Sequence, residues 1–261
     1  VIASTSVVRQ IDHILLKTDD AQMLFTLLTE TLQIPVAWPI FTYRGFHSGA
    51  AGFGNVNLEV LQHAEGEAPP FARAPGTYPI GIAFEPVTVD GALRELDARE
   101  ITHSEPFDDG ISEAIRWTSV DLEGAPQSPI RLLVKYAFDQ EARRAQLGAQ
   151  LRERSGGPLG VMSLRAVELE AADVATARAE WQRLLDPIVD SSPGEWLLGA
   201  GPALRIVEGE ADRFRRVVVA VHSLGAAIAA LRERDLLGES SPDFADLGPS
   251  DGAIRFAEVA S

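Results

Sequence analysis

Residues 11–20 read IDHILLKTDD, an apolar run that carries a histidine and ends in two acidic residues. The β-prone run predicts a strand, and Asp19 and Asp20 are suited to start the helix expected over AQMLFTLLTETL, 21–32, because a carboxylate accepts from the free N–H groups of a first turn. After Pro35 come three short β-prone stretches separated by Gly and Asn: AWPIFTY at 37–43, GFHSGAAGFG at 45–54 and NVNLEVLQ at 55–62. The order is strand, helix, three strands.

That order recurs, and a repeated unit constrains architecture before any single residue is interpreted. From Tyr78 it reads YPIGIAFEP, VDGALRELDARE, then ITHSEPF, AIRWTSVDLEG and PIRLLVKYAF. A third unit opens at SLRAVELEAADVATARAEWQRLLDP and continues through GEWLLGAG and PALRIVEGE; a fourth opens at FRRVVVAVHSLGAAIAALRERDLLG and closes on DGAIRFAEVA. IDHILLKTDD aligns without gaps on LRAVELEAAD, and PIRLLVKY on AIRFAEVA. The expected modules are 11–63, 78–137, 162–208 and 214–259. Between the second and third, DQEARRAQLGAQLRERSGGPLG is a charged helical connector over 138–160 that ends in Gly-Gly-Pro punctuation. The predicted class is α+β, with tandem domains at 1–137 and 161–261.

A βαβββ unit used in pairs, with His13 in the first strand and Glu59 in the last, resembles the vicinal oxygen chelate superfamily, which includes glyoxalase I, extradiol ring-cleaving dioxygenases and bleomycin-resistance proteins. GFHSGAAGFGN before the last strand is similar to the glyoxalase-like subgroup. The resemblance implies paired modules curling into an incomplete barrel around a cavity. It also implies a divalent metal (Fe, Mn, Zn, Ni or Co) that takes two adjacent oxygens of a small molecule and polarises them as a Lewis acid. His13 and Glu59 are the metal ligands it implies, since an imidazole nitrogen and a carboxylate oxygen suit such ions.

Strand alternation is compatible with that role. Ile11, His13 and Leu15 are expected on one face, Ile14 and Leu16 on the other; Asn57, Glu59 and Leu61 oppose Leu58 and Val60. The corresponding positions of the other modules supply no third ligand: His13 becomes Gly81, Ala166 and Arg216, and Glu59 becomes Leu132, Arg205 and Phe256. His47 and His103 are the candidates to complete the set, and His63 and His222 are expected at the surface. Trp38, Tyr43, Phe46 and Trp117 are candidate pocket walls, with simple core packing as the plainer reading. In the second cup an ion pair between Glu168 and Arg205, with Arg216 nearby, is expected to fill the space of a metal; the alternative is an anion pocket built from the two guanidiniums.

The 261 residues carry a net charge of −15 and no cysteine, which argues against nucleic acid or an anionic membrane as partner and excludes disulfides, thiolate metal sites and cysteine nucleophiles. No HExxH, P-loop or GxSxG pattern occurs, and GAAGFG leads into a strand where a dinucleotide loop needs a helix. The chain begins at Val1 with VIASTSVV, which lacks signal-peptide order, so a cytoplasmic location is the default expectation. The leading expectation is a metal-dependent lyase, isomerase or dioxygenase acting in domain one on a small molecule with adjacent oxygens, in a chain that can form a homodimer. The rival is a metal-free small-molecule binder of the antibiotic-sequestering type, and the plainest reading is a scaffold with both cups filled by side chains.

Overall fold

The structure is a computed structural model that describes residues 6–259 other than 44, 114 and 124–126. Its first half runs β1 (Gln10–Lys17), α1 (Ala21–Thr26) with a π-helical turn at Leu27–Thr31, β2 (Val36–Tyr43), β3 (Phe46–Gly52), β4 (Asn57–His63), β5 (Tyr78–Glu85), α2 (Val89–Ala98), β6 (Phe107–Ser112), β7 (Ile115–Asp121) and β8 (Ile130–Tyr136). After α3 (Gln140–Glu153) the second half follows. It comprises β9 (Val161–Ala171), α4 (Val174–Leu185), β10 (Glu195–Leu197), β11 (Ala203–Glu208), β12 (Arg213–Val221), α5 (Leu224–Glu233), β13 (Leu237–Ser240), β14 (Ala245–Leu247) and β15 (Ile254–Glu258).

Each α-helix begins on a side-chain oxygen of the expected kind. Asp20, Thr88, Asp139, Asp173 and Ser223 accept from the backbone N–H three residues on, which satisfies one otherwise open donor per helix.

The fold is α+β with two sheets, the first curled into a half-barrel. Its order is β2-β3-β4-β1-β5-β8-β7-β6; β1 runs parallel to β4, β5 parallel to β8, and β1 pairs antiparallel with β5 at the centre. The second sheet has the order β10-β11-β9-β12-β15-β14-β13, one strand fewer on the β9 side.

Alternation gives each sheet two destinies. From the backs of both sheets, Ile14, Leu58, Ile82, Phe84, Val167, Leu169, Val217 and Val219 join the helices in one continuous apolar cluster spanning the two halves. On the concave side the clusters are separate and small: Leu15, Leu61, Ile80, Ala83 and Val134 in the first cup, Ala166, Ala203 and Val218 in the second. The Asn55 side-chain amide pairs with both backbone groups of Leu164, at 2.8 and 3.1 Å, and adds a polar tie between the halves.

The charged connector is a helix packed on one side, and the polar residues on that side are what its composition did not announce. Its hydrophobic face is weak, but Leu147 and Leu151 are buried with Gln140 and Arg144. Gly148 is what lets it approach: a Cβ on Gly54, itself at φ +84°, would stand 3.0 Å from the Gly148 Cα. The buried side of this charged helix thus carries two polar side chains, Gln140 and Arg144, beside its two leucines.

Candidate functional site

The first cup assembles around β1. A register shift between Ile11 and His13 in the β1/β5 pairing changes which way the chain faces. Ile11 therefore joins Ile14 and Leu16 in the main cluster, correcting the expected Ile11/His13/Leu15 face. A bulge of this kind can re-aim a side chain without ending the strand. Here the consecutive residues Asp12 and His13 hydrogen-bond each other, with the His13 Nδ1 2.8 Å from an Asp12 carboxylate oxygen.

His13 Nε2 in turn lies 3.2 Å from Glu59 Oε2, so the imidazole is held between two carboxylates. The Ser48 hydroxyl on β3 donates to the other oxygen of Glu59. Burial works against the His13 imidazolium, but the Asp12 hydrogen bond and the charges of Glu59 and Asp12 outweigh it and raise its pKa. The Trp38 ring packs edge-on to the imidazole at 5.8 Å between centroids.

Behind this triad stands a second carboxylate cluster that sequence reading missed. Arg144 of α3 reaches Asp12 at 3.4 Å and Glu85 at 2.7 Å, and Gln140 donates to Asp12 at 2.6 Å. Glu85, 1% exposed, also accepts from Gln10 at 2.9 Å and pairs with Lys135 and Arg9 at 3.4 Å each. Burial pushes the Glu85 pKa up, yet the Gln10 hydrogen bond and the Arg144 and Lys135 charges bring it below its ordinary 4.5. A carboxyl with a lowered folded pKa contributes stability that is complete above its unfolded value and lost as pH falls through the folded one. Unfolding free energy measured by urea titration is therefore expected to fall with acidification below about pH 5, and Glu85→Gln to flatten that slope; equal slopes in both proteins would contradict the assignment.

The aromatic residues named from sequence line the same half-barrel. Tyr43 on the edge strand β2 meets Phe46 at 5.6 Å and Trp117 on β7, next to the opposite edge, at 6.1 Å, so the curl of the sheet brings β2 and β7 together through their rings. Trp117 continues to Tyr136 at 5.9 Å. Burial, followed by the charges of Asp12 and Glu59, pushes the Tyr136 phenol well above 10, which keeps it protonated and able to donate at neutral pH.

Neither candidate third ligand joins His13 and Glu59. His47 sits on the opposite face of β3, exposed, with its Nδ1 2.9 Å from the Thr42 hydroxyl. His103 precedes β6, contrary to its expected place on that strand; its ring is held by the Ser104 carbonyl and by Asp97 at 2.8 and 3.2 Å. His63, expected at the surface, is half-buried against Phe46, whereas His222 is exposed. No group of three or more His, Cys, Asp or Glu able to hold a metal occurs among the described residues.

The second cup is wired differently from expectation. Arg205 turns to Glu195 on its outer neighbour at 2.8 Å, while Glu168 pairs with Arg216 at 3.4 Å. The Glu59 position of the fourth module is also displaced. β12 and β15 pair Val218 with Arg255 and Val219 with Phe256, and Phe256 lies in the main cluster. Arg255, not Phe256, therefore faces the cup, because a one-residue slip inverts a strand's two faces.

No family model and no curated protein matches this sequence. Solved structures do match in fold. A hypothetical protein from Staphylococcus aureus is similar over 95% of this chain and 99% of its own, with a TM-score of 0.66 and 12% identity. Homoprotocatechuate 2,3-dioxygenase from Arthrobacter globiformis is similar over 99% and 82%, at TM-score 0.63 and 13% identity. A variant of homoprotocatechuate 2,3-dioxygenase from Brevibacterium fuscum is similar over 100% and 74%, at 0.61 and 13%. Among the described residues no helix is long and apolar enough to cross a membrane. At these identities the likeness is one of fold: the chain has an extradiol-dioxygenase-like architecture of two curled-sheet halves.

Proposed function

We propose that the first cup binds a small molecule with adjacent oxygens and that His13 and Glu59 hold a divalent metal there, as in a metal-dependent lyase, isomerase or dioxygenase. The observation that carries this reading is the Asp12–His13–Glu59 arrangement. Asp12 fixes the ring by its Nδ1, leaving Nε2 directed at a carboxylate whose other oxygen is held by Ser48. Metal-binding imidazoles are characteristically oriented by such a carboxylate, and ligating carboxylates are themselves hydrogen-bonded. Two protein donors fit an ion whose remaining positions are taken by water and by a chelating substrate. A bound divalent metal supplies charge stabilisation to the oxygens it holds.

The chain's own residues do the rest. Trp38, Phe46 and Trp117 offer apolar walls, and the protonated Tyr136 hydroxyl is a hydrogen-bond donor for an oxygen beside His13 and Glu59.

Calorimetric titration of chelator-stripped protein with Mn, Fe, Co, Ni and Zn tests this. Saturable binding is expected, weakened at least tenfold in His13→Ala and in Glu59→Ala, and about 10–100-fold in Asp12→Asn, which loses the orienting acceptor. If the stripped protein binds none of these ions, or if both ligand variants bind as the parent does, the metal reading fails. The 3.2 Å contact between a histidine of raised pKa and Glu59 favours one second reading, a metal-free pocket in which this ion pair stands alone. A thermal shift with small oxygenated ligands in the absence of metal would then replace the metal response.

A further inference from the structure

A cavity of about 540 Å³ is lined by residues of both halves, Tyr78 and Ile80 of β5 and Phe214 and Arg216 of β12 among them, and its lining includes neither His13 nor Glu59. Its walls combine apolar surface from Phe71, Tyr78, Ile80 and Phe214 with the guanidiniums of Arg216 and Arg255. Two of the arginines near it are fully engaged: Arg255 forks onto Asp246 at 2.7 and 2.8 Å, and Arg213 onto Glu170 at 2.8 and 3.1 Å. Arg216 is held only by the longer ion pairs to Glu168 and Asp246.

Arg216 is 8% exposed, and its side-chain Nε is buried with no hydrogen-bond partner among the described residues. Glu168 at 3.4 Å and Asp246 at 3.9 Å attract it as ion pairs, but the first does not form a hydrogen bond to Nε and the second lies beyond hydrogen-bond distance. A guanidinium has five N–H donors in a rigid fork, and a buried one left without partners is costly. Its neighbours compound the deficit: burial, then the charges of Arg255 and Arg215, lower the Arg216 pKa despite Glu168 and Asp246. The cavity lining sets four arginines, Arg213, Arg215, Arg216 and Arg255, against four carboxylates, Asp212, Glu239, Asp246 and Asp251, and Arg216 is the arginine whose buried Nε has no acceptor among the described residues.

We propose that this inter-domain cavity binds a small carboxylate with an apolar body, the carboxylate on Arg216 and the body against Phe71, Ile80 and Phe214. A planar carboxylate matches the guanidinium fork and supplies the missing acceptors. The apolar walls favour a ring or short aliphatic chain over a bare inorganic anion. The site takes its ligand independently of any metal at His13.

Benzoate, phenylacetate, benzyl alcohol and inorganic phosphate, each titrated calorimetrically into the full chain, are the probes. Saturable binding is expected for the two carboxylates and at least tenfold weaker binding for phosphate and the alcohol. Arg216→Gln should lose the carboxylate preference by tenfold or more, with its fold checked by circular dichroism. Glu168→Gln, which removes a competing carboxylate, should tighten benzoate binding, a response that a purely structural Glu168–Arg216 pair would not produce. No saturable binding of either carboxylate, equal binding of benzyl alcohol or phosphate, or unchanged affinity in Arg216→Gln overturns the proposal. So does unchanged or weaker benzoate binding in Glu168→Gln, which keeps the test decisive if Arg216→Gln fails to fold.

Discussion

Trp181→Ala is expected to lower unfolding free energy by about 3–5 kcal/mol, the range for removing a fully buried large aromatic side chain. Trp181 sits on α4 of the second half, 0% exposed, yet two of its ring contacts belong to the first half: Phe84 of β5 at 6.3 Å and the Arg131 guanidinium of β8 at 5.4 Å. Truncation leaves a cavity at the seam and also strips one face from a buried cation. Burial already pushes Arg131 down to about 10, with the Arg183 charge adding to the effect and Glu180 opposing it. The loss should therefore appear as weakened coupling as well as lower stability. Urea unfolding followed separately by circular dichroism and fluorescence, coincident in the parent, should separate in the variant. A loss below about 1.5 kcal/mol, well under the range for such truncations, would mean that the seam repacks and that Trp181 does not pin the halves.

Arg144→Met comes next in size, at about 3 kcal/mol, or roughly 6–12 °C in Tm for a chain of this length. The change removes little volume but withdraws the cation shared by Asp12 and Glu85, and a buried carboxylate that loses its partner is far costlier than the pair was beneficial. The figure lies at the low end because Gln10, Lys135 and Arg9 remain on Glu85 and Gln140 remains on Asp12. Combining Arg144→Met with Glu85→Gln should recover part of the loss, since neutralising the stranded acid relieves what the first change created. Strict additivity of the two substitutions, measured by thermal and urea unfolding, would rule out the proposed network.

Arg144 and its partner Asp12 also mark where sequence reading stopped. The β-prone runs, with Asp19 and Asp20 ahead of the first helix, were enough to outline the first module, and alternation was enough to put His13 and Glu59 on one side of the neighbouring strands β1 and β4. Asp12 was invisible to the same logic: neighbours on a regular strand point to opposite faces, and only the register shift between Ile11 and His13 brings the Asp12 and His13 side chains into contact. Arg144 lies in a segment whose composition is that of a solvated helix, and its burial depends on a glycine-to-glycine approach that no periodicity reports. In the second cup, Glu168 and Arg205 are indeed cross-strand neighbours, but a long guanidinium can turn to either side, and Arg205 chose Glu195. The apparent match of PIRLLVKY to AIRFAEVA concealed a slip: Arg131 stacks on Trp181 while Arg255 faces the cup.

The single apolar layer behind both sheets makes every strand of the second half answerable to two different constituencies. Val167, Val217 and Val219 look toward tissue held in common with the first half, so changing one of them disturbs its sibling too. Ala166, Ala203 and Val218 look only into their own hollow. Divergence can thus proceed on alternate residues of one strand while the residues between them stand still, and new chemistry can arise on a surface whose reverse side is not free to drift.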